Sequence, residues 1–271
     1  MYYGILKQET TVTEEVLTMD SGFLKREVIC TLLVPEGFDT LEKMNLLLLN
    51  DGQELENIQL KTTLEKLYFN QQIRPTLVAA IHAGERLQEY GTAGMPDFKG
   101  RGSKAAAYAS FITQELLPKL QELIGMKTFE IIAFAGFSLG GLSALDIAWN
   151  NPGLFNKVGA FSGSFWWRSK DLTKGYSEEQ DRLMHRIIRQ KQHRPDLKFW
   201  FQTGTKDEMA DRNQNGIIDS MDDTVDLIRT LESKGYDRTT DIQYVEIVNG
   251  RHNTETWAKA MPRFLCWAFG Q

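Results

Sequence analysis

A serine within a glycine-rich turn gives the strongest chemical signal in the sequence. The predicted strand over residues 129–135 leads directly into Gly136-Phe137-Ser138-Leu139-Gly140-Gly141, and a helical segment follows. A G-x-S-x-G motif between a strand and a helix lifts the serine hydroxyl clear of the sheet, where it can act as a nucleophile. The same turn aims the Leu139 N–H and the helix N-terminus at a developing oxyanion. We therefore predict that Ser138 is a catalytic nucleophile.

A nucleophilic serine needs a base, and the chain has four histidines. His82 precedes Ser138 and ends a predicted strand, which favours a role in the core or in a pocket wall. His185 and His193 lie on or beside a predicted surface helix, where an imidazole is ordinarily solvated. In proteins with this turn, the order along the chain is serine, acid, histidine. His252 follows a late strand and opens the last helix, so it is the only histidine whose order and position both fit.

The acid that orients this histidine should follow a late strand between Ser138 and His252. The predicted strand over residues 197–202 leads into Gly204-Thr205-Lys206-Asp207-Glu208. A carboxylate here would accept the imidazole N–H and stabilise the imidazolium. We favour Asp207, with Glu208 as the main alternative and Asp211 as a weaker one.

A second motif is independent of this triad. Residues 211–222 read D-x-N-x-N-G-x-I-D-x-x-D, which matches an EF-hand calcium loop at positions one, three, five, six and nine. The last position holds an aspartate in place of glutamate, and its shorter side chain makes bidentate ligation harder. A run of Asx turns before a capped helix is the alternative interpretation. We predict a structural Ca²⁺ site whose ligands are Asp211, Asn213, Asn215, Ile217 through its carbonyl, Asp219 and Asp222.

The elements that would position these residues alternate along the chain. Strands are predicted over residues 11–19, 25–34, 44–49, 76–81, 129–135, 157–161, 197–202 and 242–248. Helices are predicted over residues 60–70, 103–124 with Ser103 as N-cap, 141–149, 177–192, 220–234 and 254–269. Such alternation indicates an α/β protein with a mostly parallel sheet, antiparallel N-terminal edge strands and helices on both faces. Reacting groups then lie at the carboxyl ends of strands.

The composition is that of an ordinary globular protein. The 271 residues are 42% hydrophobic and 25% charged, with a net charge of −5. No broad basic field is available for nucleic acid, and no apolar run is long enough to span a membrane. No signal peptide is evident, so a cytoplasmic location is expected. Cys30 and Cys266 match no metal or redox spacing and are expected to be free thiols. We predict one domain over residues 1–271.

Taken together, the motifs resemble the putative-esterase branch of the α/β-hydrolase fold, which includes esterase D and the enterochelin esterases. The resemblance rests on residues 48–53, Glu85-Arg86 with Glu89-Tyr90, Asp97-Phe98, residues 100–102, 136–141 and 161–167, Gly204-Thr205 with Asp207, and Gly250-x-His252 with Trp257. It implies a second oxyanion donor in the Asp51-Gly52 loop. It also suggests Trp166, Trp167 and Arg86 as substrate-pocket residues, with a structural Arg86–Glu89 ion pair as the alternative for Arg86.

These observations predict a serine hydrolase that cleaves a small-molecule carboxylic ester through an acyl-enzyme and requires no cofactor for its chemistry. Three alternatives remain open. The acyl group could pass to a sugar hydroxyl instead of water. The substrate could be a siderophore lactone, whose anionic groups Arg86 and Arg101 would contact. The chain could also be a non-catalytic, calcium-dependent binding module.

Overall fold

The computed structural model describes residues 11–36 and 44–270. Its eight strands are β1 (Val12–Ser21), β2 (Arg26–Pro35), β3 (Asn45–Asn50), β4 (Thr76–Ile81), β5 (Ile132–Phe137), β6 (Lys157–Phe161), β7 (Lys198–Lys206) and β8 (Ile242–Arg251). The α-helices are α1 (Leu60–Phe69), α2 (Arg86–Glu89), α3 (Ala105–Ser110), α4 (Leu117–Ile124), α5 (Leu139–Asn150), α6 (Glu178–Asp181), α7 (Leu183–Gln190), α8 (Asp219–Ser233) and α9 (Thr254–Phe269).

The eight strands form one sheet in the order β1-β2-β4-β3-β5-β6-β7-β8. β2 runs antiparallel to both of its neighbours, and every pair from β4 to β8 is parallel. The predicted mostly parallel sheet with antiparallel N-terminal strands is therefore confirmed. The carboxyl ends of β3 to β8 meet at one edge, which is where the predicted chemical residues follow their strands.

The sheet separates two apolar cores. Leu46 and Leu48 of β3 face the core that α4, α5, α7 and α8 cover, whereas Leu47 and Leu49 face the core beneath α1 and α9. All six residues of β3 are buried. A strand covered on both faces favours apolar side chains on both, which explains the continuous run of leucines between Asn45 and Asn50. Burial of both faces holds the strand ends in fixed positions for the site.

Two predicted helices differ from the structure. The segment predicted over 103–124 begins at α3, and a π-helical stretch over Phe111–Leu116 separates α3 from α4. Ser103 does not cap this helix, because its hydroxyl donates to Gln88 Oε1 at 2.7 Å. The helix predicted over 177–192 divides into α6 and α7, because Arg182 between them has extended backbone angles.

Cys30 and Cys266 are both free thiols. Cys30 is buried and Cys266 is partly buried. Among the residues described, no helix is long and apolar enough to cross a membrane.

His185, predicted to be solvated, is completely buried in α7, where its Nε2 lies 3.1 Å from the Asp223 carbonyl oxygen of α8. The prediction that His185 is solvated was therefore wrong. Burial also lowers the pKa of His185.

Candidate active site

The turn from β5 into α5 places Ser138 in a strained backbone conformation. Its φ of 53° and ψ of −119° lie in a region that side-chain-bearing residues rarely adopt, at a cost of about 1–3 kcal/mol. The chain is packed so closely here that a Cβ at Gly136 would lie 2.5 Å from the Gly140 backbone. A Cβ at Gly140 would lie 2.8 Å from the Asp51 carboxylate. Both glycines of G-x-S-x-G are therefore required by close approach.

The Ser138 hydroxyl has a serine neighbour. Ser138 Oγ lies 3.2 Å from Ser164 Oγ, and the Ser164 N–H donates to the Ser138 carbonyl oxygen at 3.1 Å. Ser164 is buried and follows the end of β6. Ser164 lies within the 161–167 motif, but nothing in the local sequence pattern indicates that it lies beside Ser138.

Asp207 lies just beyond the end of β7 and is partly buried. Its Oδ2 accepts a hydrogen bond from the Gly204 N–H at 3.0 Å. Its Oδ1 is buried and has no hydrogen-bond partner within the described residues. Burial raises the pKa of Asp207, opposed by the Gly204 N–H, the Ser162 hydroxyl and the neighbouring His252. A buried carboxylate oxygen without a partner is costly, and an imidazole N–H would satisfy it.

His252 follows β8 and is exposed to solvent on one side. Burial of the rest of the ring lowers its pKa; the Asp207 carboxylate opposes that shift, and the Arg86 guanidinium adds to it. The Asp207 charge therefore acts on His252, although no hydrogen bond or ion pair joins the two side chains within the described residues. Glu208, the alternative acid, is half-buried, and its carboxylate interacts with Ser220 at the start of α8.

Trp257 links the three segments of the site. Its ring meets the His252 ring edge-on at 5.4 Å and stacks on Phe137, the neighbour of Ser138, at 4.8 Å. Its indole N–H donates to Ser162 Oγ at 3.0 Å. Ser162 is buried with a φ of 48°, and its hydroxyl helps to lower the pKa of Asp207. Ser162 and Trp257 therefore support both the predicted acid and the predicted base.

The loop after β3 lies beside the serine turn. The Asp51 N–H donates to the Tyr90 hydroxyl at 3.1 Å, so this N–H already has a partner. The Asp51 carboxylate accepts two hydrogen bonds from Arg86, at 2.8 and 2.9 Å, and the same guanidinium donates to the Phe137 carbonyl at 3.3 Å. Arg86 therefore ties the loop after β3 to the strand that carries Ser138.

A buried polar chain reinforces this connection. The Asn50 amide donates to the Gly140 carbonyl at 2.8 Å, and the Tyr108 hydroxyl donates to Asn50 Oδ1 at 2.5 Å. Tyr108 packs against Tyr90, the residue that accepts from Asp51, with ring centroids 5.2 Å apart. These side chains are fully buried, so their hydrogen bonds hold the two loops rigidly relative to each other.

The charge pairs around the site differ from one expectation. The Arg86–Glu89 pair suggested as an alternative is wrong, because Glu89 accepts from Arg26 at 2.6 and 2.7 Å while Arg86 pairs with Asp51. Arg26 lies on β2, far from Glu89 in sequence. The Arg86 guanidinium remains about one third exposed, but its planar donor edge is occupied by a carboxylate.

The two predicted pocket tryptophans have different environments. Trp167 is fully buried and packs against Gly91 and Gly102. Trp166 is partly exposed, and the Arg101 guanidinium lies over both indole rings at 5.2 and 5.3 Å. Trp166 can therefore contact a ligand, whereas Trp167 supports the wall from behind.

The 211–222 loop forms a compact turn before α8. Asp211 accepts from the Asn215 and Gly216 N–H groups, and the Asn213 and Asn215 amides both donate to Asp222 Oδ2 at 2.9 and 2.7 Å. The Ile217 N–H donates to Asn215 Oδ1. Asp219 faces Arg212, whose backbone N–H donates to it at 2.9 Å. Within residues 11–36 and 44–270, no group of three or more His, Cys, Asp or Glu side chains could hold a metal.

The sheet order, the helices on both faces and the strand–turn–helix at Ser138 define an α/β hydrolase. Residues 21–268 match the family described as "Putative esterase". The chain belongs to that family. A relative described as "Uncharacterized protein YbbA" from Bacillus subtilis (strain 168) is 28% identical over 145 residues, which are 51% of this chain and 58% of the relative.

Solved structures of several esterases share the fold. The Shigella flexneri enterobactin esterase FES, in the presence of enterobactin, has a TM-score of 0.74 and 19% identity; the match covers 97% of this chain and 60% of that one. The siderophore hydrolase EstB from Aspergillus nidulans has a TM-score of 0.71 and 15% identity over 100% of this chain and 96% of its own. The chain therefore spans about 60% of the length of the first of these structures, but nearly all of the second.

Proposed function

We propose that the protein hydrolyses a carboxylic ester with Ser138 as nucleophile, His252 as base and Asp207 as orienting acid. The observation that carries the proposal is the strained backbone of Ser138 at the turn between β5 and α5. Strain of this kind persists at functional sites, because the surrounding structure holds the residue in place. Membership of the esterase family supports the same conclusion, as does the Asp207 carboxylate, which raises the pKa of His252 against the effect of burial.

In the proposed reaction, His252 takes the hydroxyl proton as Ser138 Oγ bonds to the acyl carbon. The carbonyl oxygen becomes an oxyanion that accepts from the Leu139 and Gly52 N–H groups. We assign the second donor to Gly52, because the Asp51 N–H donates to Tyr90. His252 then gives its proton to the leaving alcohol. Water, deprotonated by the same imidazole, attacks the acyl-enzyme and releases the carboxylic acid and free Ser138.

A fluorophosphonate probe tests this proposal directly. The probe forms a covalent phosphonyl ester only with a serine that an adjacent base activates. We expect one label, located at Ser138 by peptide mass spectrometry, and its loss in Ser138→Ala. A protein that stays unlabelled while folded would instead be the non-catalytic binding module.

The pH dependence of kcat/KM should report the lowered pKa of His252. Only the neutral imidazole can accept the Ser138 proton, so activity falls as His252 is protonated. Because burial lowers this pKa, we expect the acidic limb to have its midpoint below the ordinary histidine value of 6.5. In Asp207→Asn the limb should move to still lower pH, since the carboxylate that raises the His252 pKa is gone. A midpoint above 6.5, or an upward shift in the variant, would contradict the assignment of the base.

A siderophore lactone is the second candidate substrate. Two of the matched structures are an enterobactin esterase and a siderophore hydrolase, and here Trp166 lies beside Arg101 at the edge of the site. Hydrolysis rates for acetyl, feruloyl and catecholate-lactone esters would separate this substrate class from simple esters. A preference for the lactone of at least tenfold in kcat/KM would support the siderophore assignment.

Calcium binding by the 211–222 loop stays a prediction. Asp211 and Asp207 are four residues apart, so an ion held here would fix the direction in which the chain leaves β7. We expect Ca²⁺ to raise the free energy of unfolding by about 2.7 kcal/mol at 100 times its Kd. The measurement is the melting midpoint of chelator-treated protein with and without millimolar Ca²⁺, with Asp211→Ala as the variant that loses the response. An unchanged midpoint in the wild-type protein would leave the loop as a polar turn.

A further inference from the structure

A cleft of about 350 Å³ is lined in part by residues that neighbour the candidate active site along the chain. Three segments line it: residues 98–101, residues 166–172, and the stretch from Glu208 to Asp219. Two of these segments continue directly from the site. The Trp167 N–H donates to the carbonyl oxygen of Ser164, which contacts Ser138, and Glu208 follows Asp207. The cleft is therefore built in part from segments that continue from the site.

Cations predominate in the lining of the cleft, but only some of them are neutralised. Arg101 forms an ion pair with Asp97, and Arg212 pairs with Asp223 and Glu178. The cleft also contains two carboxylates. Asp219 pairs with Arg212 in the same lining, and Glu208 forms no ion pair with a described residue. Arg168 and Lys99, in contrast, form no ion pair with any described residue, and the charge nearest to Arg168 is the exposed Asp171 carboxylate, whose pKa it helps to lower.

Arg168 is held by aromatic rings rather than by carboxylates. Its guanidinium carbon lies 4.9 Å from the Phe98 ring centroid and 5.9 Å from those of Trp166 and Tyr176. Its Nε is buried and has no hydrogen-bond partner in the described chain. Ring faces attract a cation but leave the in-plane N–H donors of a guanidinium unsatisfied. The two terminal NH₂ groups of the guanidinium match the oxygens of a planar carboxylate, which can accept two parallel hydrogen bonds.

We propose that this cleft binds an aromatic carboxylic acid that forms part of the ester substrate. The carboxylate pairs with Arg168 and Lys99, and the ring packs against Trp166 and the exposed side chain of Leu172. The proposal rests on the proposed ester hydrolysis and adds a substrate class to it. It also moves anion recognition from Arg86 and Arg101, whose charges are already paired, to Arg168 and Lys99.

Binding can be measured without catalysis in the Ser138→Ala protein. We expect calorimetric titration to show that benzoate binds at least tenfold more tightly than benzyl alcohol or cyclohexanecarboxylate. Arg168→Gln in the same background should weaken benzoate at least tenfold, Arg168→Lys less, and Lys99→Gln about threefold. Arg229→Gln is the matched control, since Arg229 is a largely exposed arginine away from the cleft. Equal binding of benzoate and benzyl alcohol, or equal effects of the Arg168→Gln and Arg229→Gln changes, would overturn the proposal.

Steady-state kinetics provide a second test of the proposed carboxylate site. 4-Acetoxybenzoate should have a kcat/KM at least tenfold above that of its neutral methyl ester, mainly through KM. In Arg168→Gln that ratio should fall to about one, while Arg229→Gln keeps it. A ratio that Arg168→Gln leaves intact would refute the assignment. A protein that binds benzoate through Arg168 but is not labelled at Ser138 would refute the proposed hydrolysis alone, so the two failures can be told apart.

Discussion

We expect Ser138→Ala to lower kcat for an activated ester by about 10⁴-fold or more. Without the hydroxyl no acyl-enzyme can form, and only the oxyanion donors and substrate binding remain to accelerate the reaction. Alanine accepts the same backbone strain as serine, and the hydroxyl is only partly buried. The melting midpoint should therefore change little. Steady-state hydrolysis of 4-nitrophenyl acetate, together with a melting curve, measures both effects.

Ser164→Ala is the matched control for this experiment. Its hydroxyl lies 3.2 Å from that of Ser138, in the same site. We expect a loss of less than about 100-fold, because Ser164 can hydrogen-bond to the nucleophile but lies outside the strained turn between β5 and α5 that presents Ser138. If Ser138→Ala retained a tenth of the wild-type activity while Ser164→Ala did not, the nucleophile would be Ser164.

The second large effect is expected for Asp207→Asn, which should lower kcat by about 10³- to 10⁴-fold. The neutral amide cannot offset the positive charge that His252 gains in the transition state, and it can favour the wrong tautomer. The Oδ1 atom that would accept the imidazole N–H is buried and unpartnered in the described structure, so little else can replace it. KM should change by much less than kcat, because Asp207 acts on the imidazole rather than on the bound ester.

Glu208→Gln tests the alternative acid. Its carboxylate interacts with Ser220 at the start of α8, so we expect kcat to fall by less than about tenfold. Kinetics of both variants with one activated ester provide the comparison. If Glu208→Gln proved the more damaging change, Glu208 would be the acid, and the assignments of Ser138 and His252 would be unaffected.

The positions of the strands were largely predictable, because a strand buried on both faces has a continuous run of apolar residues in the sequence. The runs over residues 44–49 and 129–135 are continuously apolar, and the structure has strands at Asn45–Asn50 and Ile132–Phe137. The helices were less predictable where long-range contacts compete with local preference. Arg182 separates α6 from α7 while its guanidinium pairs with Asp223 at 2.7 Å, 41 residues further along the chain.

In the candidate site, too, some features were predictable from the local sequence and others depended on long-range contacts. The order serine, acid, histidine and the ends of three strands identified Ser138, Asp207 and His252 as residues to examine together. Ser162 and Trp257 belong to motifs that carry the family resemblance, but nothing in the sequence indicated their contacts with these residues, or that Arg168 would lie among three aromatic rings. Those contacts join residues from separate strands and loops, up to 95 positions apart in the case of Ser162 and Trp257.

Features that depend on near neighbours could be predicted from the sequence: apolar strands, the glycine-flanked serine turn, and the loops in which an acid and a histidine follow their strands. Which charges are paired and which remain available depends instead on the packing of distant segments. Arg86 pairs with Asp51 because the loop after β3 and the segment after β4 meet at one edge of the sheet, and Glu89 is left to Arg26 on β2. Charge pairing requires approach within a few ångströms, and only the packed sheet brings such distant residues that close.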